Sequence, residues 1–132
     1  MSDFTGQTES PLSDWMGFET IEVTPARTLV RLRLRLEHLN PTGAIHAGTM
    51  LALADNTATK MAIEAQKGTP NEGKFMVTVD LHATMLRNQP GGTIEAEANI
   101  VRAGGRVTVV RTRVVGEGGK SLIEVTTTHI PA

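Results

Sequence analysis

From Val30 to Leu36, apolar side chains recur at every second position (Val30, Leu32, Leu34, Leu36), with Arg31, Arg33, Arg35 and Glu37 falling between or after them. That alternation predicts a strand with one buried and one charged face. A shorter run of the same period, Phe18 to Val23, precedes it and is broken off at Pro25. Ala47 to Gln66 behaves differently. Met50, Leu51, Leu53, Ala54, Ala58, Met61, Ala62 and Ile63 leave almost no polar side until Lys60 and Glu64, so the segment predicts a helix, about 30 Å long, with most of its circumference buried. Lys67-Gly68-Thr69-Pro70 supplies its stop.

Period two then returns. Phe75, Val77, Val79, Leu81, Ala83 and Met85 form one apolar series, and Ile94 to Ile100, Val107 to Val115 and Leu122 to Ile130 predict three more strands. Turns at Asn88 to Gly92, Ala103-Gly104-Gly105 and Gly116 to Gly119 join them, which predicts an antiparallel meander of four. Pro11 to Gly17 predicts a short helix in which Trp15 packs. The expected fold is α+β: a single domain over residues 1–132, with an antiparallel sheet of five to six strands around one long central helix and a short helical segment within 1–17.

Composition narrows the function. The chain has 132 residues, a formal charge of −1 and no cysteine. Disulfides, thiolate zinc sites and cysteine nucleophiles are excluded, and overall charge offers no pull toward nucleic acid. Its N-terminus has neither the basic nor the apolar stretch of a signal peptide and no apolar run approaches membrane-spanning length, so a cytoplasmic protein with no membrane partner is expected. The arginines of the Val30 to Leu36 strand read more simply as a solvated or interface-facing surface than as an anion site. His82 and His129 show no ligand spacing, so no metal is expected.

One stretch stands out. Asn40-Pro41-Thr42-Gly43-Ala44-Ile45-His46-Ala47-Gly48 is turn-rich and opens onto the helix, which carries Asp55 two turns in as its only acid before Glu64. With Leu53-Ala54-Asp55, Thr78-Val79-Asp80-Leu81, Leu86-Arg87 and Val101-Arg102-Ala103-Gly104-Gly105-Arg106, it resembles the hotdog-fold acyl-CoA thioesterases of the PaaI-like, phenylacetic acid degradation-type group. The resemblance runs from about Phe18 to Ile130. Ala47 stands where that family usually has glycine, and Asn88-Gln89-Pro90 where proline usually follows the arginine directly.

Thioester hydrolysis needs a donor for the developing oxyanion and a carboxylate that activates water or attacks directly. At the start of the helix, the Ala47 N–H is the candidate donor, joined by Gly48 or by a side chain from Asn40 or His46; Asp55 is the candidate base or nucleophile. The resemblance places at Thr78 a hydroxyl that helps position the attacking water. Eight residues separate Ala47 from Asp55, about 12 Å along a helix, whereas water and the carbonyl it attacks must meet at about 3 Å. One protomer cannot supply both groups, so a composite site is expected in a homodimer, with a dimer of dimers beyond it, as the resemblance also implies.

The substrate is expected to be an aryl- or medium-chain acyl-CoA, with coenzyme A as part of the substrate and no separate cofactor. Met50, Ala54, Ala58, Met61, Met76 and Met85 are expected to line the acyl pocket, with Leu12, Trp15 and Met16 covering one end; low aromatic content gives no stacking platform. Arg87, Arg102, Arg106 and Lys120 are candidates for the coenzyme A phosphates. Two alternatives compete: a hydratase or dehydratase on the same fold, whose histidine and acid motifs are not visible here, and a non-catalytic acyl-CoA-binding protein, for which the roughly seventeen residues before Phe18 are too few to add a DNA-binding domain.

Overall fold

The computed structural model describes residues Ser10 to Ala132. Six antiparallel strands form one sheet: β1 (Glu19–Val23), β2 (Thr28–Arg33), β3 (Met76–Met85), β4 (Thr93–Ala103), β5 (Thr108–Val115) and β6 (Ser121–Pro131). Helix α1 (Pro11–Met16) precedes them and α2 (Ala47–Glu64) crosses one face between β2 and β3. The expected helix within 1–17 is thus present as α1, while its first nine residues lie outside the described part. Ser10 caps α1 by accepting the Ser13 N–H, and Gly17 closes it at φ 86°, where a side chain would be strained.

The strand order is β1-β2-β4-β5-β6-β3. The four-strand meander therefore needs correcting: β4, β5 and β6 form one, but β3 lies beyond β6 at the far edge and β4 pairs with β2. A short link does not force adjacency. Residues 86–92 can extend about 23 Å, whereas three strand spacings need only about 14 Å.

Two other expectations change locally. β2 ends at Arg33, because the chain turns through a 3-10 segment, Leu36–His38, in which the His38 Nδ1 accepts the Arg35 N–H. Leu36, expected on the buried face, is 82% exposed. In β3 the alternation inverts at a bulge between Thr78 and Asp80, so the inward residues are Met76 and Thr78 before it and Ala83 after it. Val77 and Val79 face outward, contrary to the uninterrupted apolar series expected from Phe75 to Met85.

Helix α2 stops at Glu64, two residues earlier than Gln66, and Gln66 is buried with its Nε2 donating to Thr108 Oγ. Its stripe of Met50, Leu53, Ala54, Thr57, Ala58, Met61 and Ala62 is buried on the sheet. Inward residues of β2, β4, β5 and β6 complete the two core clusters. The opposite stripe, Leu51, Ala52, Asp55, Asn56, Thr59 and Ile63, is only half-buried. On the outer face Arg31 pairs with Glu95 at 3.2 Å, and Arg27 with Glu22 at 3.0 Å and Glu97 at 3.4 Å. The arginine-bearing strand surface is therefore a paired, solvated one. Trp15, expected to pack, is 61% exposed and instead lies 5.9 Å from the Arg35 guanidinium carbon.

Candidate active site

The Asn40 to Gly48 loop is built largely from its own hydrogen bonds. Asn40 Oδ1 accepts from both the N–H (2.8 Å) and the hydroxyl (2.6 Å) of Thr42, and the Asn40 N–H donates to Ala44 O at 2.8 Å. Asn40 thus shapes the loop. Asn88, read in the sequence only as part of a turn, clamps the loop from outside: its Oδ1 accepts the Ile45 N–H at 2.9 Å and its Nδ2 donates to Ile45 O at 3.0 Å. The buried His38 ties the loop to α1, with its Nε2 2.8 Å from Met16 O, while its own carbonyl accepts the Thr49 hydroxyl and the His46 N–H.

His46 is the N-cap of α2, and its Nδ1 accepts the Gly48 N–H at 2.8 Å. Two consequences correct the expectation. The Gly48 N–H is occupied by its own chain, so it is not the second oxyanion donor. And a neutral His46 ring that accepts at Nδ1 carries its proton on Nε2, which leaves that N–H as a side-chain donor beside the helix start. A Cβ at Gly48 would lie 3.0 Å from the ring nitrogen, so the small residue makes room for the cap. Ala47, the first helical residue, is exposed and has a negative φ, and among the described residues its N–H meets no acceptor. Alanine therefore presents the same helix-terminal donor that glycine would.

Two turns on, Asp55 is half-buried, and its Oδ1 accepts the Thr78 hydroxyl at 2.7 Å. Thr78 shares the inward face of β3 with Met76, just before the bulge. Arg87 does not pair with Asp55; its Nη1 donates to Ser121 O at 3.2 Å. Behind Thr78 lies a residue that the sequence offered no reason to choose. His129, fully buried on β6, stands opposite Thr78 in the strand register with its Nδ1 3.4 Å from the hydroxyl. Burial pushes the His129 imidazole below its usual pKa, against the opposing pull of the Met76 carbonyl and the Asp55 charge.

Asp55 borders a cleft of about 320 Å³ between α1 and the half-buried stripe of α2. Leu12, Phe18, Ala52, Ile63 and Phe75 give it apolar walls, and Asn56, Thr59 and Lys60 add polar ones. The expected pocket residues are elsewhere. Met50, Ala54, Ala58, Met61 and Met76 belong to the closed core, because an apolar stripe at helical spacing packs on the sheet before it lines anything. Met85 is 49% exposed near the end of β3, and Trp15 and Met16 do not border the cleft, although Leu12 does. Two of the chain's three phenylalanines stand in its wall, so the low aromatic content understated the site.

Nor do the candidate phosphate-binding arginines gather in one chain. Arg87 sits beside Asn88 near the start of α2, whereas Arg102 and Arg106 flank the β4–β5 hairpin, where Gly105 O accepts Asn71 Nδ2 beyond the helix's other end. Lys120 is exposed in the β5–β6 turn.

The profile of the thioesterase superfamily matches residues 42–123, from the loop before α2 into the start of β6. The chain belongs to the thioesterase superfamily. Solved structures agree on the hotdog fold, and PaaI proteins are among those it is similar to. A variant of the phenylacetic acid degradation protein PaaI from Thermus thermophilus is 26% identical, with a TM-score of 0.79, over 93% of this chain and 100% of that one. PaaI from the Escherichia coli phenylacetic acid degradation operon is 18% identical, with a TM-score of 0.84, over 94% and 86%. A Streptococcus mutans protein solved bound to acetyl CoA is 20% identical, with a TM-score of 0.78, over 88% and 89%. No curated protein sequence matches the chain. Among the described residues, no helix is long and apolar enough to cross a membrane.

Proposed function

We propose that this hotdog thioesterase hydrolyses an aryl- or medium-chain acyl-CoA to the free acid and coenzyme A, at two composite sites of a homodimer. The observation that carries the reading is the half-buried Asp55 carboxylate at the cleft wall, oriented through one oxygen by Thr78 and held in no ion pair among the described residues. With Oδ1 engaged, Oδ2 takes the proton of a water whose oxygen adds to the thioester carbon. The carbonyl oxygen becomes an oxyanion facing the Ala47 N–H of the other protomer. Collapse expels the coenzyme A thiolate, which recovers the proton, and leaves the carboxylic acid. The acetyl CoA complex of the Streptococcus mutans neighbour supports the substrate class.

The sheet edges support the dimer. β1 is five residues long, bulged, and carries Glu19 and Glu22, which blunt it. β3, the other edge, runs ten residues and exposes Val77, Val79, Leu81 and Met85 with Asp80 as its only charged residue apart from any protonated His82. A long apolar edge of this kind is suited to pairing with its own copy, which would bring two α2 helices alongside each other. A dimer of dimers is the larger assembly we propose. Phe18 and Phe75 in the cleft favour an aryl or flat acyl group.

Free-thiol release from benzoyl-, phenylacetyl- and straight-chain acyl-CoAs tests the activity. Turnover by the native chain, lost in Asp55→Asn, is the expected result. Tight binding without thiol release from any of them would replace the enzyme with an acyl-CoA-binding protein.

A further inference from the structure

His129 is buried, does not border the cleft beside Asp55, and stands apart from the motifs that first drew attention to the site. Its ring nevertheless has a determinate hydrogen-bonding state. Nδ1 lies 3.3 Å from the carbonyl oxygen of Met76 and 3.4 Å from the Thr78 hydroxyl; Nε2 lies 2.7 Å from the Thr127 hydroxyl. A carbonyl oxygen can only accept, so the nitrogen facing Met76 carries the proton. In the opposite tautomer two lone pairs would face each other there. In the neutral ring with this tautomer Nε2 is an acceptor, and the hydroxyl that fills it is Thr127, itself buried.

The same counting fixes Thr78. Its hydroxyl has one proton, and the short contact to Asp55 Oδ1, an oxygen that only accepts when ionised, takes it. Toward His129 the hydroxyl presents a lone pair, which Nδ1–H meets in a shared bond with Met76 O. Every proton along the line then points the same way.

We infer that His129, as its Nδ1–H tautomer, is a positioning residue for Asp55, the second member of a one-way hydrogen-bond chain that runs from Thr127 through His129 and Thr78 to the Asp55 carboxylate. No proton has to travel along it. It locks the Thr78 rotor with its hydrogen on Oδ1, which sets the rotation of the carboxylate and leaves Oδ2 turned toward water. The register places these groups together: Thr78 pairs with His129 across β3 and β6, and its side chain reaches Asp55 on the helix. This inference rests on the reading of Asp55 as the base.

The experiment has a spectroscopic arm and a kinetic arm. The ¹⁵N resonances of the His129 ring in the native assembly at neutral pH are expected to show a protonated Nδ1 and an unprotonated Nε2. The reverse tautomer, or a doubly protonated ring, overturns the inference whatever the activity. In the kinetic arm His129→Leu keeps the bulk but removes the donor, while His129→Asn keeps an N–H near the position of Nδ1 in a smaller side chain. His129→Leu is expected to lose about tenfold in kcat with KM within twofold, and His129→Asn to stay within about threefold of the native kcat even where it is the less stable variant. If kcat follows stability instead, or if His129→Leu turns over like the native chain, the positioning role is refuted. Asp55→Asn measured alongside keeps the two questions apart: its activity would overturn the base assignment, whereas an inactive Asp55→Asn with an unaffected His129→Leu would overturn the chain alone. Should the leucine variant fail to fold, the tautomer and the asparagine variant still decide.

Discussion

The Thr78 hydroxyl donates to Oδ1 of Asp55 at 2.7 Å, across the gap between an edge strand and the central helix. A hydroxyl donor beside a carboxylate orients it without neutralising it, as an arginine would. For a group that must accept a proton or attack a carbonyl, that difference decides whether it can work.

Asp55→Asn keeps the shape of the side chain and removes its basicity. Turnover of the preferred acyl-CoA is expected to fall by roughly 10² to 10⁴-fold while the thermal midpoint stays near the native value. Steady-state thiol release together with a melting curve checks both halves, and native-like turnover would remove Asp55 from the chemistry. If Asp55 attacks as a nucleophile and water then opens the mixed anhydride at the Asp55 Cγ, a single turnover in ¹⁸O-water places the label in the Asp55 carboxylate, which mass spectrometry of its peptide would reveal. As a base, it leaves the label only in the released acid.

Thr78→Val deletes one hydrogen bond to a charged group and conserves volume. A bond of this kind contributes about 1.5–3 kcal/mol, which corresponds to a kcat loss of about 10- to 150-fold, with Thr78→Ser recovering most of it. A valine variant as fast as the native chain would show that the bond is incidental.

At the helix start, His46→Ala removes the cap on the Gly48 N–H and should cost about 1 kcal/mol of stability. If the Nε2–H also faces the oxyanion, kcat falls as well. Gly48→Ala is expected to push the ring off its acceptor position, because the new Cβ would come within 3.0 Å of it. Comparing the two variants by denaturant melts and kinetics separates capping from catalysis: a loss of stability with kcat intact would confine His46 to the cap.

Val79→Lys places a charge in the middle of the exposed β3 edge. Sedimentation should show dissociation, and turnover should disappear with it, since neither protomer alone brings Ala47 and Asp55 within reaction distance. An active monomer would refute the composite site.

His129 titrates below its ordinary value of 6.5 because it is buried. Below pH 6.5 the unfolded chain therefore binds a proton that the folded chain refuses, and stability is lost as pH falls from 6.5 through the lowered folded value. Above 6.5 the contribution is fully present. Glu22, lowered by its hydrogen bond to Arg27, acts with the same sign but in the carboxylate range, below 4.5. Urea melts at fixed protein concentration across pH 5 to 8 should show the first loss in the native chain and its absence in His129→Asn; an identical slope in both would assign it to another group.

Much of this was legible before folding. Period-two alternation in Val30, Leu32 and in β4 to β6 located the strands, since a strand with one buried face must alternate. The apolar run after Gly48 located α2, Ala47 and Asp55 were picked out by their surroundings in sequence, and Thr78 by the family resemblance. Their spacing also showed that one helix could not complete the site. The stripe expected to line a pocket packs into the core instead, because both faces of α2 carry apolar side chains and the choice between them belongs to the sheet that covers one. Met50, Ala54, Ala58 and Met61 were covered; Ala52 and Ile63 were left at the cleft.

What the sequence by itself determined, then, was the inventory: which segments alternate, which one coils, where the helix begins, and which acid sits on it. These are local properties, set by side-chain period and by the chemistry of neighbouring residues. The tertiary structure alone decided which strands are neighbours, because that depends on how loops such as 86–92 are spent, and it alone set β3 at an exposed edge. A bulge between Thr78 and Asp80 reversed the facing of β3, and a cross-strand register set His129 behind Thr78, fifty-one positions away in the chain. No local pattern encodes such a meeting, since it exists only when two strands settle into one register over a common helix.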